Sequence, residues 1–143
     1  YLVNRHLGYC LDLAVIWAGN LAGTFLAAVG LQSARISSIS EKAAAMCEIK
    51  LNDNYLSLFL LGIFCGFLMF VAVDGYQLSK NPIILFMGVA AFILCGFEHC
   101  IADMFYFSMA QMWSGKAFLC VLIITLGNSV GGILIPLAKK LQG

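Results

Sequence analysis

Three stretches of the chain run without a charged side chain for about the thickness of a bilayer: Leu13 to Ala34, 22 residues; Asn54 to Val73, 20 residues; and Ala117 to Ala138, 22 residues. A helix needs about 20 apolar residues to cross the hydrocarbon. The pattern therefore predicts three membrane-spanning helices, extending with their flanks over 9–34, 54–76 and 117–138. A fourth apolar stretch, Pro82 to Trp113, behaves differently. Its 32 residues would make a helix about 48 Å long, against about 30 Å of hydrocarbon, and Glu98, His99 and Asp103 sit in its middle. Cutting it there leaves an apolar half from Pro82 to Phe97 and a second from Met104 to Trp113. That is the pattern of a discontinuous helix broken near 98–103, whose unwound centre is tolerated only where protein or water surrounds it.

Between the first two spans, Arg35 to Asp53 concentrates the charges. Ser38-x-x-Glu41 reads as a capping box opening a short helix whose apolar face is Ala43, Met46 and Ile49, lying along the membrane interface or forming a solvated connector. Tyr9, Tyr55, Tyr76 and Trp113 fall near predicted span ends, as interfacial aromatics do. Arg5, Lys80, Lys139 and Lys140 on one side balance Arg35, Lys42, Lys50 and Lys116 on the other, so basic residues do not orient the chain. Composition agrees with the pattern: 62% hydrophobic, 10% charged, mean hydropathy +0.96. A soluble domain carries about 25% charged residues, so an ordinary globular fold is excluded. A net charge of +1 with scattered basic residues gives no footprint for nucleic acid. The six cysteines form no CxxC pair and read as small buried hydrophobes, calling for neither disulfide, metal nor cofactor. The chain opens on Tyr1, and its first apolar run is too long for the core of a secretory signal.

Gly19-Asn20-Leu21-Ala22-Gly23 in the first span recurs as Gly127-Asn128-Ser129-Val130-Gly131 in the last. Each places a Gly-x-x-x-Gly face on an apolar helix, where absent side chains let two backbones approach, and Gly62 and Gly66 repeat the spacing. If the first span is the counterpart of the last, the repeating unit is a plain helix, a broken helix and a Gly-Asn helix. The chain then holds one full unit and the end of another, with about two spans expected on the N-terminal side.

Three ionisable residues within Glu98 to Asp103 are expected to face protein or water rather than lipid, since a charge at the bilayer centre costs at least about 2.5–3.5 kcal/mol. Gly96 supplies backbone freedom for the break. His99 reads as a pore residue exchanging protons or hydrogen bonds with a small permeant, because imidazole titrates near neutral pH. Alternatively Glu98, His99 and Asp103 hold a metal or hydrolyse a substrate, although there is no HExxH motif and the other histidine, His6, is remote in sequence. On the blandest reading Glu98 and Asp103 cap half-helices and bind freed backbone groups, the role favoured for Glu98.

Gly96-Phe97-Glu98-His99-Cys100-Ile101-Ala102-Asp103-Met104-Phe105, followed by Thr125-Leu126-Gly127-Asn128-Ser129-Val130-Gly131-Gly132, resembles the formate/nitrite transporter family, and Ala18-Gly19-Asn20-Leu21-Ala22-Gly23 is similar to its third helix. The resemblance covers the last four of six spans. It implies an all-α transmembrane, aquaporin-like bundle, the fragment of an inverted-repeat channel that assembles as a homopentamer in the lipid bilayer, with a bacterial inner membrane as its place. It also implies a pore for small monovalent anions or their acids, with His99 at its centre, Phe92 in an apolar constriction and Lys50 drawing anions in. The plainer readings are a packing role for Phe92 and a snorkelling lysine for Lys50. Asp103 stands where many members carry Asn, Gly66 where formate channels carry a polar Asn, and Val121-Leu122-Ile123-Ile124 replaces an Asn-Leu-Ile-Pro stretch. Formate, nitrite and hydrosulfide are all left open. The expected function is a channel rather than an enzyme, with a neutral-solute channel as the alternative on the same architecture.

Overall fold

A computed structural model describes residues 7–34 and 37–142. Among them it shows only helices, in the order α1 (Leu7–Gln32), α2 (Ser37–Asn52), α3 (Tyr55–Ser79), α4 (Ile83–Leu94), α5 (Cys100–Met109) and α6 (Gly115–Gln142). Arg5, His6 and Arg35 lie outside the described residues. Three helices are long and apolar enough to cross a membrane, over Gly8–Gln32, Tyr55–Ser79 and Gly115–Leu141. The protein is an all-α transmembrane protein.

Local chemistry sets the boundaries. At the start of α3, Asn54 Oδ1 accepts the Ser57 amide at 2.8 Å, and Asp53 accepts both the Asn54 amide and the Ser57 hydroxyl at 2.7 Å, so a freed amide of the first turn is satisfied. Lys80 ends α3 in the left-handed conformation at φ 56°. The fourth apolar stretch is two helices, but its break runs from Cys95 to His99, earlier than the polar residues suggest, and Asp103 is helical. The reason is Gly96. At φ +67° it lets Phe97 donate to Phe92 O at 2.9 Å and its own amide to Ile93 O at 3.2 Å, a Schellman closure that stops α4 before Phe97. Gln111 repeats the device beyond α5 at φ 54°, with Met112 donating to Phe107 O at 3.0 Å.

The chain forms two compact units. In the first, comprising α1, α2, most of α5 and the first residues of α6, Ala28, Ala43 and Met109 form a core flanked by Leu31, Ile39, Phe105 and Tyr106. Carbonyls at the end of α5 have no partner within their own helix. Gln32 donates to those of Ser108 and Met109 at 3.1 and 2.9 Å, and the Ser40 hydroxyl reaches Met109 O at 3.3 Å. Ser38 lies inside α2 rather than before it, and the buried face is Ala43, Cys47 and Lys50, with Met46 and Ile49 exposed. Spacings of four and three select that face, and the Met109 contact decides which stripe turns inward.

The second unit holds α3, α4 and the remainder of α6. Here α3 and α6 meet backbone to backbone. A Cβ on Gly62 would lie 3.0 Å from Ile124 O, and one on Gly127, Gly131 or Gly66 would collide with Phe59 O, Ile63 O or Asn128 O respectively. Only hydrogen fits at these positions. Gly88 of α4 instead makes room for a side chain, since a Cβ there would collide with the Ala72 Cβ of α3.

Candidate functional site

The second unit contains the helix break and a cavity of about 350 Å³ lined by Cys65, Gly66, Met69, His99, Asn128 and Gly132 among others. The Schellman turn at Gly96 leaves Phe97, Glu98 and His99 between the helices. His99 is half-buried and stacks on Phe92, ring centroids 5.3 Å apart and planes 23° from parallel. Phe92 is buried, and Phe97 stacks on Phe64 at 5.4 Å. The site is thus an imidazole edge in an otherwise mostly apolar hollow, with a benzene ring against its face.

Asn128 ties the break down. Its Oδ1 accepts the Cys100 amide at 2.9 Å, while its Nδ2 donates to Glu98 O at 2.8 Å and Gly62 O at 2.9 Å. One amide side chain thereby fixes the residues on either side of His99 and anchors them to α3, using both of its N–H donors and its carbonyl oxygen. Asn128 thus binds freed backbone groups of the break, and Glu98, expected in a role of that kind, is buried within the break. The sequence signal for Asn128 as a clamp is its isolation: a side chain with three hydrogen-bonding groups in an uncharged span must find polar partners. Its twin does not reproduce the arrangement. Asn20 donates to Ile16 O of its own helix at 2.9 Å, and a Cβ at Gly19 or Gly23 would meet nothing within 4 Å. The packing role expected for Gly19, Asn20 and Gly23 therefore has no counterpart among the described residues, whereas Gly127 and Gly131 are packed tightly within this chain.

The first unit contains a buried ion pair. Lys50 Nζ lies 3.1 Å from Asp103 Oδ1, with 6% and 1% of the residues exposed, and sits 5.8 Å from the centre of the Tyr106 ring. Such burial does not suit a snorkelling lysine. Lys50 is in the last turn of α2 and Asp103 in the first turn of α5, each the end at which a helix dipole favours that sign of charge. Cys47, one turn before Lys50, has no exposed surface. Neither Tyr106 nor Cys47 carried a sequence signal, because their relation to Lys50 depends on how α2 meets α5. Among the described residues, no three His, Cys, Asp or Glu side chains converge as a metal site.

Gly66 stands where the resemblance to formate channels implies a polar Asn. It lines the cavity, but its Cβ direction points into the Asn128 backbone. An Asn at this position would require α3 and α6 to separate.

Residues 6–139 match the formate/nitrite transporter family. The chain is 28% identical to the formate channel FocA of Haemophilus influenzae, over 82% of this chain and 53% of that protein. It is 30% identical to an uncharacterized transporter of Saccharomyces cerevisiae, over 83% of this chain and 21% of that protein. It therefore spans about half the length of the first relative and about a fifth of the second. The family match takes in α1 to α5, the His99 break and α6 as far as Lys139, the Gly-Asn segments of α1 and α6 included, and the chain belongs to the formate/nitrite transporter family.

Proposed function

We propose that this chain is part of a channel for small monovalent anions or their conjugate acids, of the class of formate, nitrite or hydrosulfide, working as a homopentamer of inverted-repeat protomers in a bacterial inner membrane. The observation that carries the reading is His99 on the wall of an apolar cavity, stacked on Phe92 and held by the Asn128 clamp. Taking a bare anion into such surroundings is very costly, whereas its neutral acid passes with far less loss of hydration. Imidazole is the side chain that gains and loses a proton near neutral pH. His99 therefore shares a proton with the anion, and the less charged species moves past Phe92, which keeps the passage narrow and dry. Lys50, in the last turn of α2, supplies the cationic attraction.

The test is His99→Asn in the full-length protein, with uptake of formate, nitrite and hydrosulfide by proteoliposomes measured from mildly acidic to mildly alkaline pH. The amide keeps part of the hydrogen bonding, so the fold is expected to survive. The pH dependence of anion flux is expected to flatten, because the exchangeable proton near neutrality is gone. An unchanged flux and pH profile at matched protein amounts would remove His99 from the mechanism. Uptake confined to uncharged solutes would favour the neutral-solute alternative.

A further inference from the structure

We propose that Asp103 is a tethered competitor of the permeant: its carboxylate occupies, on the Lys50 ammonium, the place that an incoming carboxylate or similar anion would take, and so sets the concentration at which anions load. The proposal rests on the anion-channel reading for the identity of the ligand.

Four observations support it. The contact is a 3.1 Å ammonium–carboxylate pair, the same chemistry that formate, a carboxylate without a tether, would make with a lysine. Both partners are almost wholly buried, so water competes weakly and an anion that gains the ammonium gains a strong contact. Asp103 lies in the first turn of α5, where backbone amides add positive potential. The helices that carry the pair are held to each other, by Ser40 donating to Met109 O and by Ala43 packing on Met109, so the tether keeps the carboxylate within reach of the ammonium. Tyr106 completes the surroundings with a ring face 5.8 Å from Nζ, and buried Cys47 lies one turn before Lys50 on the same helix. In effect this is an anion site holding its own anion.

A permeant anion that takes the Lys50 ammonium displaces Asp103 from it, and Asp103 is a competitor of fixed, high local concentration. Competition raises the half-saturating concentration and leaves the maximal rate largely alone. A purely structural ion pair would change protein amount or maximal rate instead.

Two measurements on the full-length protein test this. In proteoliposomes, Asp103→Asn is expected to lower the half-saturating formate concentration by about tenfold, the effect of one screened charge–charge contact, with a much smaller change in maximal uptake rate. Asp103→Glu keeps the competitor and is expected to stay near the parent value, and Lys50→Met/Asp103→Asn is expected to lose the gain. A half-saturating concentration that is unchanged or raised in Asp103→Asn overturns the proposal. The second measurement serves even where a variant folds poorly. Asp103→Ala removes a group the size of formate, so added formate is expected to raise its thermal midpoint in detergent while leaving the parent unmoved, and gluconate at equal ionic strength is expected to do neither. A midpoint that responds equally to both salts overturns the proposal, as does a variant that formate cannot keep folded. Parent vesicles that take up no formate would defeat the channel reading and leave the midpoint experiment standing; intact uptake with formate-indifferent midpoints would defeat this proposal alone.

Discussion

Burial pushes the Cys47 thiol up from 9.0 to about 12, with the Lys50 ammonium pulling it down and the Asp103 carboxylate adding to the rise. An acid whose folded pKa is raised favours the fold only while the unfolded chain also keeps its proton. Its contribution is therefore whole below about pH 9 and is lost as pH rises from 9 towards 12. Cys47→Ala is expected to remove that part of the alkaline fall in thermal midpoint, so that its offset from the parent is constant near pH 7 and changes above pH 9; parallel curves throughout would show that this thiol does not ionise on unfolding. The sequence reading of the cysteines as small buried hydrophobes describes Cys47, Cys65 and Cys120, while Cys10 and Cys95 are exposed. The difference follows from packing: an apolar run shows that a residue avoids water, and it does not show whether protein or lipid replaces that water. Lys50 illustrates the same limit. Its position before the second span is plain in the sequence, but its partner stands 53 residues away, and only the meeting of α2 with α5 reveals an ion pair. Breaking such a buried pair at one end typically costs about 3–5 kcal/mol, which is why the paired substitutions above are needed beside the single ones.

At the scale of elements, the contact between α3 and α6 was largely legible and the break only partly so. Gly62, Gly66, Gly127 and Gly131 announce a close crossing by their spacing alone, and the structure puts backbone where their side chains would have been. Spacing from Gly127 points to Gly131 rather than to its neighbour Gly132, but does not say which helix lies opposite. Gly131→Ala would drive a methyl into Ile63 O and the Phe67 amide, whereas Gly132→Ala meets only Gly66 O at 3.9 Å, an ordinary contact. In the full-length protein, Gly131→Ala is expected to cost about 1–3 kcal/mol as overpacking, seen as a clear drop in thermal midpoint, with Gly132→Ala close to the parent. Equal effects would mean that α3 and α6 slide freely and that the crossing is not set by these atoms. The break lies a few residues before the polar cluster, so polar residues do not mark its limits. A Schellman turn needs only a glycine, and Asp103 is compatible with the first turn of a helix, so backbone conformation at Gly96 outweighs side-chain polarity.

At the scale of the whole chain, the direction of the helices fixes how the fourth apolar stretch meets the membrane. Contacts between α3 and α6 advance together along both: Phe59 and Gly62 beside Gly127, Ile63 and Phe67 beside Gly131, and finally Asp74 with Lys139 at 3.1 Å. The two helices are therefore parallel. Both are long and apolar enough to span the bilayer, so the chain between them must return to the side from which α3 started. A re-entrant loop that dipped in and came back would make α6 antiparallel to α3. Twelve residues of α4 and ten of α5 supply about 18 and 15 Å of helix, together enough for about 30 Å of hydrocarbon. The break at Cys95–His99 is then crossed at membrane depth, where the Asn128 clamp satisfies backbone groups that lipid could not. It follows that Lys80 and Lys140 face the same aqueous side and Lys116, at the other end of α6, faces the opposite one. In full-length protein with its native cysteines replaced by alanine, Lys80→Cys and Lys140→Cys are expected to react with a membrane-impermeant maleimide from one side of sealed vesicles, and Lys116→Cys only from the other. Labelling of Lys80→Cys and Lys116→Cys from a common side would mean that α4 and α5 do not cross, and the pore reading of His99 would fall with that crossing.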